Sequence, residues 1–456
     1  MQEARLIGCK ALTRPLAFVS AALLSATMSA GPAIAQARKA APKPKASAAQ
    51  PAVPAAPLVS KAPEPTFDEG TAQRITAAIA SYSALEHRGG WPTLPASVSH
   101  LTRGATGPHV ALLRQRLAMT DDLPAEKAGG NAFDAELSEA VRHFQARHGV
   151  PQTGLLGPKT LAALNVPVAQ RLQQLAASLD RLGTLDFVFG QRYVVINIPA
   201  AFAEAVAGDK VVRRYVVVVG KPDRPSPMVT THITTVNLNP TWTVPLSIMK
   251  KDIITRMRKD PGYVGRMHMR VLDGAGHEID ANAVDWNSDR APNFTIRQDS
   301  GTWNALGAVR IDMPNAHSVY MHDTNHKEHF SADYRFQSSG CARVDDPRGL
   351  ATWLLEDNPR WGRREIDAAI AKGERLDVRL TRKVPVAWIY LTGWATRDGA
   401  VHFRDDIYGH DKHLARPLAA GLRPPVRTAP RESRSVPQSG GPARASVKPA
   451  SYLDSQ

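Results

Sequence analysis

The chain has 456 residues, of which 43% are hydrophobic and 22% charged, an ordinary balance for globular domains. This length argues against a single hydrophobic core, so we expect two or three domains. The formal net charge of +15 favours a polyanionic setting, which could be nucleic acid, anionic lipid or an anionic wall polymer. Charge alone does not choose among these settings.

The first residues follow the order of a secretory signal peptide. Basic residues up to Arg14 precede the apolar stretch 16–28, and Ala33-Ile34-Ala35 fits the small-residue cleavage pattern. We therefore predict a signal peptide over residues 1–35, followed by export and a mature chain that begins at Gln36. The alternative is an uncleaved membrane anchor, for which the apolar stretch is short.

Cysteine usage singles out one residue for attention. Cys9 lies in the predicted signal peptide, so the mature chain keeps Cys341 alone. No intramolecular disulfide is then possible, and a lone thiol in an oxidising compartment is a liability unless it has a function. Cys341 is therefore the first candidate for chemistry.

Composition divides the rest of the chain. Residues 36–65 are rich in Ala, Pro and Lys, and residues 412–456 in Pro, Ser, Gly and Arg, which predicts a disordered linker and a disordered basic tail. Between them we predict a helical scaffold segment at 66–98, a small three-helix domain at 99–165 and a mainly β domain at 184–411. The predicted fold class is α+β.

The small domain is indicated by apolar residues at helical spacing, such as Val110, Leu113 and Leu117, with glycines at its turns. Its pattern, GATGPHVALLRQRL followed by AVRHFQARHGVPQTGLLGPKTLAALN, resembles the peptidoglycan-binding domain of many wall enzymes. A generic helical spacer is the alternative interpretation.

The large domain is indicated by runs of β-branched residues. Strands are predicted at 193–196, 211–219, 230–236, 319–321, 376–380, 386–392 and 401–403. The turn Gly208-Asp209 would join the first two strands, and Asp398-Gly399 the last two. Helices are predicted at 247–258 and 347–357.

The densest polar segment, 317–346, contains four histidines and ends in Ser338-Ser339-Gly340-Cys341-Ala342-Arg343 before two aspartates. A cysteine nucleophile needs a base or a cation, donors for the developing oxyanion, and a restraint on the base. Gly340 allows a sharp turn before Cys341, and a histidine could supply the base.

Together with 338–343, the segment Tyr320-Met321-His322-Asp323-Thr324 resembles the active-site signature of L,D-transpeptidases, in which a histidine precedes Ser-His-Gly-Cys-x-Arg. Three further pieces resemble the larger branch of that family, namely Asn239 to Pro245, Gln298 with Asn304 to Gly307, and Trp394 to Asp411. Ser339 departs from the histidine that is frequent there, so we expect altered specificity rather than lost activity.

The resemblance implies that Cys341 attacks the diaminopimelate carbonyl of a tetrapeptide stem and expels the terminal D-alanine. His322 would be the general acid and base, with its ring held by a backbone carbonyl. The N–H groups of Gly340 and Cys341 would form the oxyanion hole. Residues 250–300 would be an inserted substrate lid.

The resemblance also implies a set of substrate-binding residues, which are Arg343, Ser339, Tyr320 and Trp242. For Arg343, support of the loop and contact with a substrate carboxylate remain equal alternatives. Ser339 could donate a hydrogen bond in place of the family's histidine. Trp242 could instead pack in the core or in the lid.

No cofactor and no metal are expected. His317, His326 and His329 lie near His322 and Asp323 in sequence, but their spacing fits no known ligand pattern. The expected location is the periplasm, in association with the cell wall. Stem peptides and glycan strands are the expected partners, and nucleic acid is not. The acyl acceptor stays open among a second stem, which gives a 3→3 cross-link, water, and a lysine of an outer-membrane lipoprotein.

Overall fold

The computed structural model describes Ser60 and residues 62–412. The predicted signal peptide, most of the predicted linker and nearly all of the predicted tail lie outside the described residues. Within the described part of the chain, no helix is both long enough and apolar enough to cross a membrane.

Helices dominate the first part of the described chain. They are α1 (Thr71–His87), α2 (Pro108–Ala118), α3 (Ala135–His148), α4 (Pro158–Leu164) and α5 (Val168–Leu182). The boundaries of α3 follow from its sequence. Asp134 caps the start by accepting a hydrogen bond from the Leu137 N–H, and Gly149 ends the helix at a φ of +65°.

These helices form two packing units. Helices α2, α3 and α4 surround a small core that includes Leu113, Phe144 and Leu164. Helices α1 and α5 pack against each other and share a second core with strand residues such as Val195 and Ile389. The second unit therefore lies against the sheet that follows.

The main sheet begins with β1 (Arg192–Asn197), β2 (Phe202–Ala207), β3 (Lys210–Gly220) and β4 (Val229–Leu238). An insert then interrupts the sheet, and we use that name for residues 242–298. It contains β5 (Trp242–Thr243), α6 (Leu246–Ile248), a π-helical turn (Met249–Ile253), α7 (Ile254–Met257), α8 (Tyr263–Arg266), β6 (Met269–Leu272), β7 (Glu278–Ile279) and β8 (Thr295–Gln298).

The insert has its own small sheet, in the order β5-β8-β6-β7, and its own apolar core. Met249, Ile253 and Trp286 are buried in that core. The insert is therefore a subdomain with its own hydrophobic packing rather than an extended loop.

The chain then returns to the main sheet. The elements are β9 (Val309–Asp312), β10 (Met321–His322), β11 (Phe336–Ser338), β12 (Ala342–Val344), α9 (Pro347–Leu354), α10 (Arg363–Lys372) and β13 (Leu376–Ile389), followed by the hairpin β14 (Gly393–Ala395) and β15 (Val401–Phe403).

Nine strands of the described chain form the main sheet, in the order β11-β3-β12-β10-β9-β4-β13-β1-β2. Because β2 also pairs with β3, the sheet closes on itself. Its interior is a continuous apolar core in which Val217, Ile311 and Trp388 are fully buried. The helical first part and the mainly β second part make the fold class α+β, as the sequence predicted.

Several predicted elements are wrong in detail. The prediction missed β2, so Gly208-Asp209 joins β2 to β3 rather than β1 to β3. The run 376–380 and residues 386–389 of the run 386–392 lie in one strand, β13, whose pairing with β4 is irregular between Arg379 and Val384. Residues 390–392 follow the end of this strand. β15 pairs with β14 instead of with residues 386–392. β2 was overlooked because its sequence FAEAVA has few β-branched residues, and packing rather than propensity makes it a strand.

Candidate active site

Two short parallel strands bring the candidate residues together. In the pairing of β10 with β12, Met321 lies beside Ala342 and His322 beside Arg343, and neighbouring strands are about 4.8 Å apart. Met321 and Ala342 face the interior core, so the alternation of side chains sends their neighbours to the opposite face of the sheet. Those neighbours are Tyr320, His322, Cys341 and Arg343.

His322 is buried, and a backbone carbonyl fixes its ring. Its Nδ1 lies 2.5 Å from the carbonyl oxygen of Asp323. Because a carbonyl only accepts hydrogen bonds, Nδ1 carries the proton and Nε2 is left as the basic nitrogen. Burial and then the charge of Arg343 lower the pKa of His322 to about 3. The ring is therefore neutral near pH 7 and able to accept a proton.

Cys341 is partly buried, and its thiol is protonated at rest. Burial raises the pKa of Cys341 to about 11, although interactions with Tyr320 and the charges of Arg310 and Arg343 oppose the rise. Within the described residues, no hydrogen bond joins the thiol to His322. The site thus holds a neutral thiol and a neutral imidazole rather than a preformed ion pair, so proton transfer must accompany attack.

The hydrogen bonds around Cys341 leave its own amide donor free. Ser338 Oγ accepts the N–H of Gly340 at 3.2 Å and donates to the Cys341 carbonyl at 2.6 Å. The Ala342 N–H donates to the Tyr320 carbonyl at 3.1 Å. Among the described residues, no acceptor takes the Cys341 N–H. Cys341 N–H can therefore receive an oxyanion, whereas the Gly340 N–H, expected as a second donor, is already bonded to Ser338.

Arg343 and Ser339 have partners that the sequence did not indicate. Arg343 Nη1 donates to His329 Nδ1 at 3.0 Å. This bond connects β12, the strand that follows Cys341, to the 3-10 helix Lys327–Ser331. Ser339 is exposed and accepts a hydrogen bond from Arg224 Nη1 at 3.2 Å, which leaves its own hydroxyl proton available to donate.

Arg224 connects the insert to the nucleophile loop, the name we use for Ser339 and Gly340 just before Cys341. This guanidinium forms two hydrogen bonds with Asp252 in the insert, at 2.5 and 2.9 Å, while it also contacts Ser339. The ion pair raises the pKa of Arg224 and lowers that of Asp252. One arginine therefore connects the insert to the residues just before Cys341.

Tyr320 and Trp242 border the site from the other direction. The Tyr320 ring lies 5.6 Å from the His322 ring, with the Arg310 guanidinium 4.7 Å from its centre. Burial raises the pKa of Tyr320, and a hydrogen bond with Trp242 opposes that rise. Trp242 also packs against the core of the insert. It therefore belongs to the packing of the insert and touches the site through Tyr320.

The remaining histidines of the segment do not surround a metal position. No group of three or more His, Cys, Asp or Glu residues within the described chain is arranged to hold a metal ion. His326 stacks on His329 and bonds to Glu328. The Asp323 carboxylate accepts the N–H groups of Ala308 and Thr324, so it joins the segment before β9 to the end of β10.

Three residues at the site were missed in the sequence analysis, namely Arg310, Arg224 and Ser226, whose hydroxyl donates to the Gly340 carbonyl. Arg310 could have been found as a charged residue between two apolar residues of a strand, which places it on the outer face. Arg224 and Ser226 lie in a Pro-rich loop far from Cys341 in the chain, and no sequence pattern marks them.

Comparison with known proteins identifies two matching regions. A model described as the L,D-transpeptidase catalytic domain matches residues 191–373, and a model described as a peptidoglycan binding domain matches residues 106–164. A curated Haemophilus influenzae protein described as an L,D-transpeptidase is 29% identical over 244 residues, which are 53% of this chain and 49% of that protein. The chain thus spans about half the length of this relative.

Solved structures with the same description were also found. An L,D-transpeptidase from Stackebrandtia nassauensis is 15% identical, covers 64% of this chain and 96% of its own, and gives a TM-score of 0.26. L,D-transpeptidase 1 of Mycobacterium tuberculosis is 14% identical, covers 44% of this chain and 61% of its own, and gives a TM-score of 0.18.

Proposed function

We propose that the protein is a transpeptidase of the peptidoglycan wall, because residues 191–373 match the L,D-transpeptidase catalytic domain and residues 106–164 match a peptidoglycan binding domain. It acts through a thioester on Cys341, uses tetrapeptide stems as donors and forms 3→3 cross-links. The protein is exported to the periplasm, where its partners are stem peptides and glycan strands.

One observation carries this proposal. His322 is a neutral, carbonyl-anchored base on the same face of the sheet as Cys341, whose own N–H is free to bind an oxyanion. Nucleophilic acyl transfer requires those three groups together, namely a thiol, a base of fixed orientation and an oxyanion donor. The cationic groups of Arg310 and Arg343 at the same face suit a substrate that carries carboxylates.

Acylation of Cys341 begins with proton transfer to His322 in the proposed mechanism. Nε2 of His322 takes the thiol proton while Sγ of Cys341 bonds to the carbonyl carbon of the third stem residue. The carbonyl oxygen becomes an oxyanion that the Cys341 N–H stabilises. The tetrahedral intermediate then collapses, the bond to D-alanine breaks, and the imidazolium returns its proton to the departing amine. The product is a thioester and free D-alanine.

Transfer repeats this sequence with a second amine. The side-chain amine of a diaminopimelate in a neighbouring stem attacks the thioester and gives its proton to Nε2 of His322, which passes it to the leaving thiolate. A water molecule could take the same path, so the outcome depends on which nucleophile is held at the thioester. The insert, bonded to the nucleophile loop through Arg224, is placed to limit access of water.

Mass analysis of muropeptides tests the proposal. The purified protein, incubated with disaccharide tetrapeptide, should release D-alanine and yield a dimer with a diaminopimelate-to-diaminopimelate bond. The Cys341→Ser and His322→Ala variants, confirmed as folded by circular dichroism, should yield neither product. A pentapeptide stem should not be used, because attack there would have to expel a dipeptide.

The products also separate the alternatives. Tripeptide monomer as the dominant product would replace the proposal with a carboxypeptidase activity. Transfer to a lysine of an outer-membrane lipoprotein, with no dimer formed, would replace it with an anchoring activity. Full activity of a folded Cys341→Ser variant would overturn the nucleophile itself.

A further inference from the structure

Two serines hold the two peptide groups that flank Cys341. Ser338 bonds to the carbonyl of Cys341, on one side. On the other side, Ser226 Oγ lies 2.7 Å from the carbonyl oxygen of Gly340. Ser226 comes from the loop between β3 and β4 and is buried, with 3% of its surface exposed. The bond therefore joins this loop to the peptide that precedes the nucleophile.

The orientation of the Ser226 hydroxyl is fixed by its partners. The Gly220 N–H donates to Ser226 Oγ at 2.9 Å, and an amide nitrogen cannot accept. The hydroxyl proton must then point to the Gly340 carbonyl, which can only accept. Gly220 makes this possible because a Cβ there would lie 2.4 Å from the Arg224 carbonyl oxygen.

The bond also sets the direction of the Cys341 N–H. In a trans peptide the C=O and N–H groups point in opposite directions, so a carbonyl held by Ser226 turns the Cys341 N–H away from that loop. Gly340 has a φ of +119°, a conformation open to glycine, and glycine also offers little resistance to rotation of the adjacent peptide. Without a bond to its carbonyl, this peptide could rotate and present a carbonyl where the oxyanion forms.

A second residue supports Ser226 from the end of the described chain. The Tyr408 hydroxyl donates to the Gly220 carbonyl and accepts the Ser226 N–H at 3.2 Å. Tyr408 is in turn held by Tyr390, whose hydroxyl accepts the Tyr408 N–H at 2.8 Å and donates to Asp406 at 2.7 Å. Tyr408 lies beyond residues 191–373, so a segment outside the matched catalytic domain reaches behind the nucleophile.

We propose that Ser226 is a positioning residue that aims the Cys341 N–H at the oxyanion, and that Tyr408 holds Ser226 in place for that purpose. This inference rests on the proposed function, since it assigns a role in the acylation of Cys341. Ser226 touches neither thiol nor imidazole, and its effect passes through the Gly340–Cys341 peptide.

The test compares two reactions of the same thiol in the full-length protein. Acylation by a carbapenem passes through an oxyanion, whereas alkylation by iodoacetamide does not. Loss of one oxyanion donor typically costs about a hundredfold in rate. We therefore expect Ser226→Ala to slow acylation by about ten- to a hundredfold, and alkylation by less than about twofold. Intact mass spectrometry measures both rates.

Conservative variants and a matched control complete the design. Ser226→Thr keeps the hydroxyl and should restore acylation to within a few fold of the wild type, and Tyr408→Phe should give an intermediate loss. Ser178→Ala removes another buried serine, which accepts the N–H groups of Thr392 and Gly393 far along the chain, and should leave the ratio of the two rates unchanged.

Each outcome decides one claim. Wild-type acylation by Ser226→Ala, or an equal loss in both reactions, would overturn the inference, because the residue would then not act through the oxyanion. If Ser226→Ala does not fold, the ratio of rates in Tyr408→Phe decides by the same criterion. A wild-type protein that forms no carbapenem adduct on Cys341 would instead contradict the proposed function.

Discussion

The pH dependence of Cys341 reactivity follows from the burial of its thiol. Burial raises the pKa of Cys341 from an ordinary 9.0 to about 11, while His322, with a pKa of about 3, carries no charge that could stabilise a thiolate near pH 7. At pH 8 the thiolate fraction is about one in a thousand, compared with about one in ten for a thiol of pKa 9. The population of the reactive form is thus about a hundredfold lower.

The rate of Cys341 alkylation should fall less than the fraction of thiolate does. A thiolate of higher pKa is the stronger nucleophile, and a Brønsted coefficient of about 0.4–0.5 over two pKa units offsets about tenfold of the difference. We therefore expect alkylation of Cys341 by iodoacetamide at pH 8 to be about tenfold slower than that of a small thiol. The rate should rise nearly tenfold per pH unit from pH 6 to 9, and His322→Ala should not lower it.

Intact mass spectrometry of samples quenched at successive times gives these alkylation rates, with Cys341→Ser as the blank. A rate constant that is flat between pH 6 and 8.5 and falls in His322→Ala would refute the reasoning. That result would mean a thiolate paired with an imidazolium at rest, and the neutral pair inferred from the burial of both groups would be wrong. Arg343→Gln gives a second check, because loss of a charge that lowers the thiol pKa should slow alkylation further.

Further predictions address the insert and the helical domain. Asp252→Asn weakens the contact of Arg224 with the insert, so we expect more hydrolysis of the thioester. The measurement is the ratio of tripeptide to cross-linked dimer, and an unchanged ratio would contradict the proposed lid role of the insert. Asp122→Asn leaves Arg147 buried without its charged partner and should cost about 3–5 kcal/mol in urea unfolding, whereas a loss below about 1 kcal/mol would count against this ion pair. Burial holds the pKa of His148 well below 6.5, so the unfolded chain binds the proton first and stability falls as the pH drops below about 6.5. Between pH 6.5 and 5 the wild type should lose more stability than His148→Phe, which should still lose some because burial also lowers the pKa of His322 and His402; equal losses in both proteins would argue otherwise.

Long-range pairing explains where the sequence was and was not informative about the fold. The helices around Leu113 and Phe144 were predictable, because their apolar residues repeat at the helical period and glycines mark the turns. β2 was not predictable, because pairing with its neighbours, and not its own residues, makes it a strand. The two β-rich runs of β13 were predicted, but their union in one strand was not, because it depends on pairing with β4.

The residues of the candidate site were likewise only partly predictable from the sequence. Cys341 and His322 could be selected because they share one short segment with Gly340 and match a known signature. Ser226 and Arg224 approach Cys341 only after β3 pairs with β11 and β12, so their contacts depend on the closed sheet. The hydrogen bond between the Gly340 N–H and Ser338 is local, yet residue types alone do not determine which amide groups stay free.

The buried, protonated thiol has a consequence for the lifetime of the protein. Peroxide oxidises thiolates, and a cysteine whose pKa is raised offers few of them, so Cys341 should convert slowly to sulfenic acid. The described chain has no second cysteine with which to resolve a sulfenic acid as a disulfide. A neutral thiol, activated only when His322 takes its proton during attack on a substrate, therefore protects a nucleophile that could not be repaired from within this part of the chain.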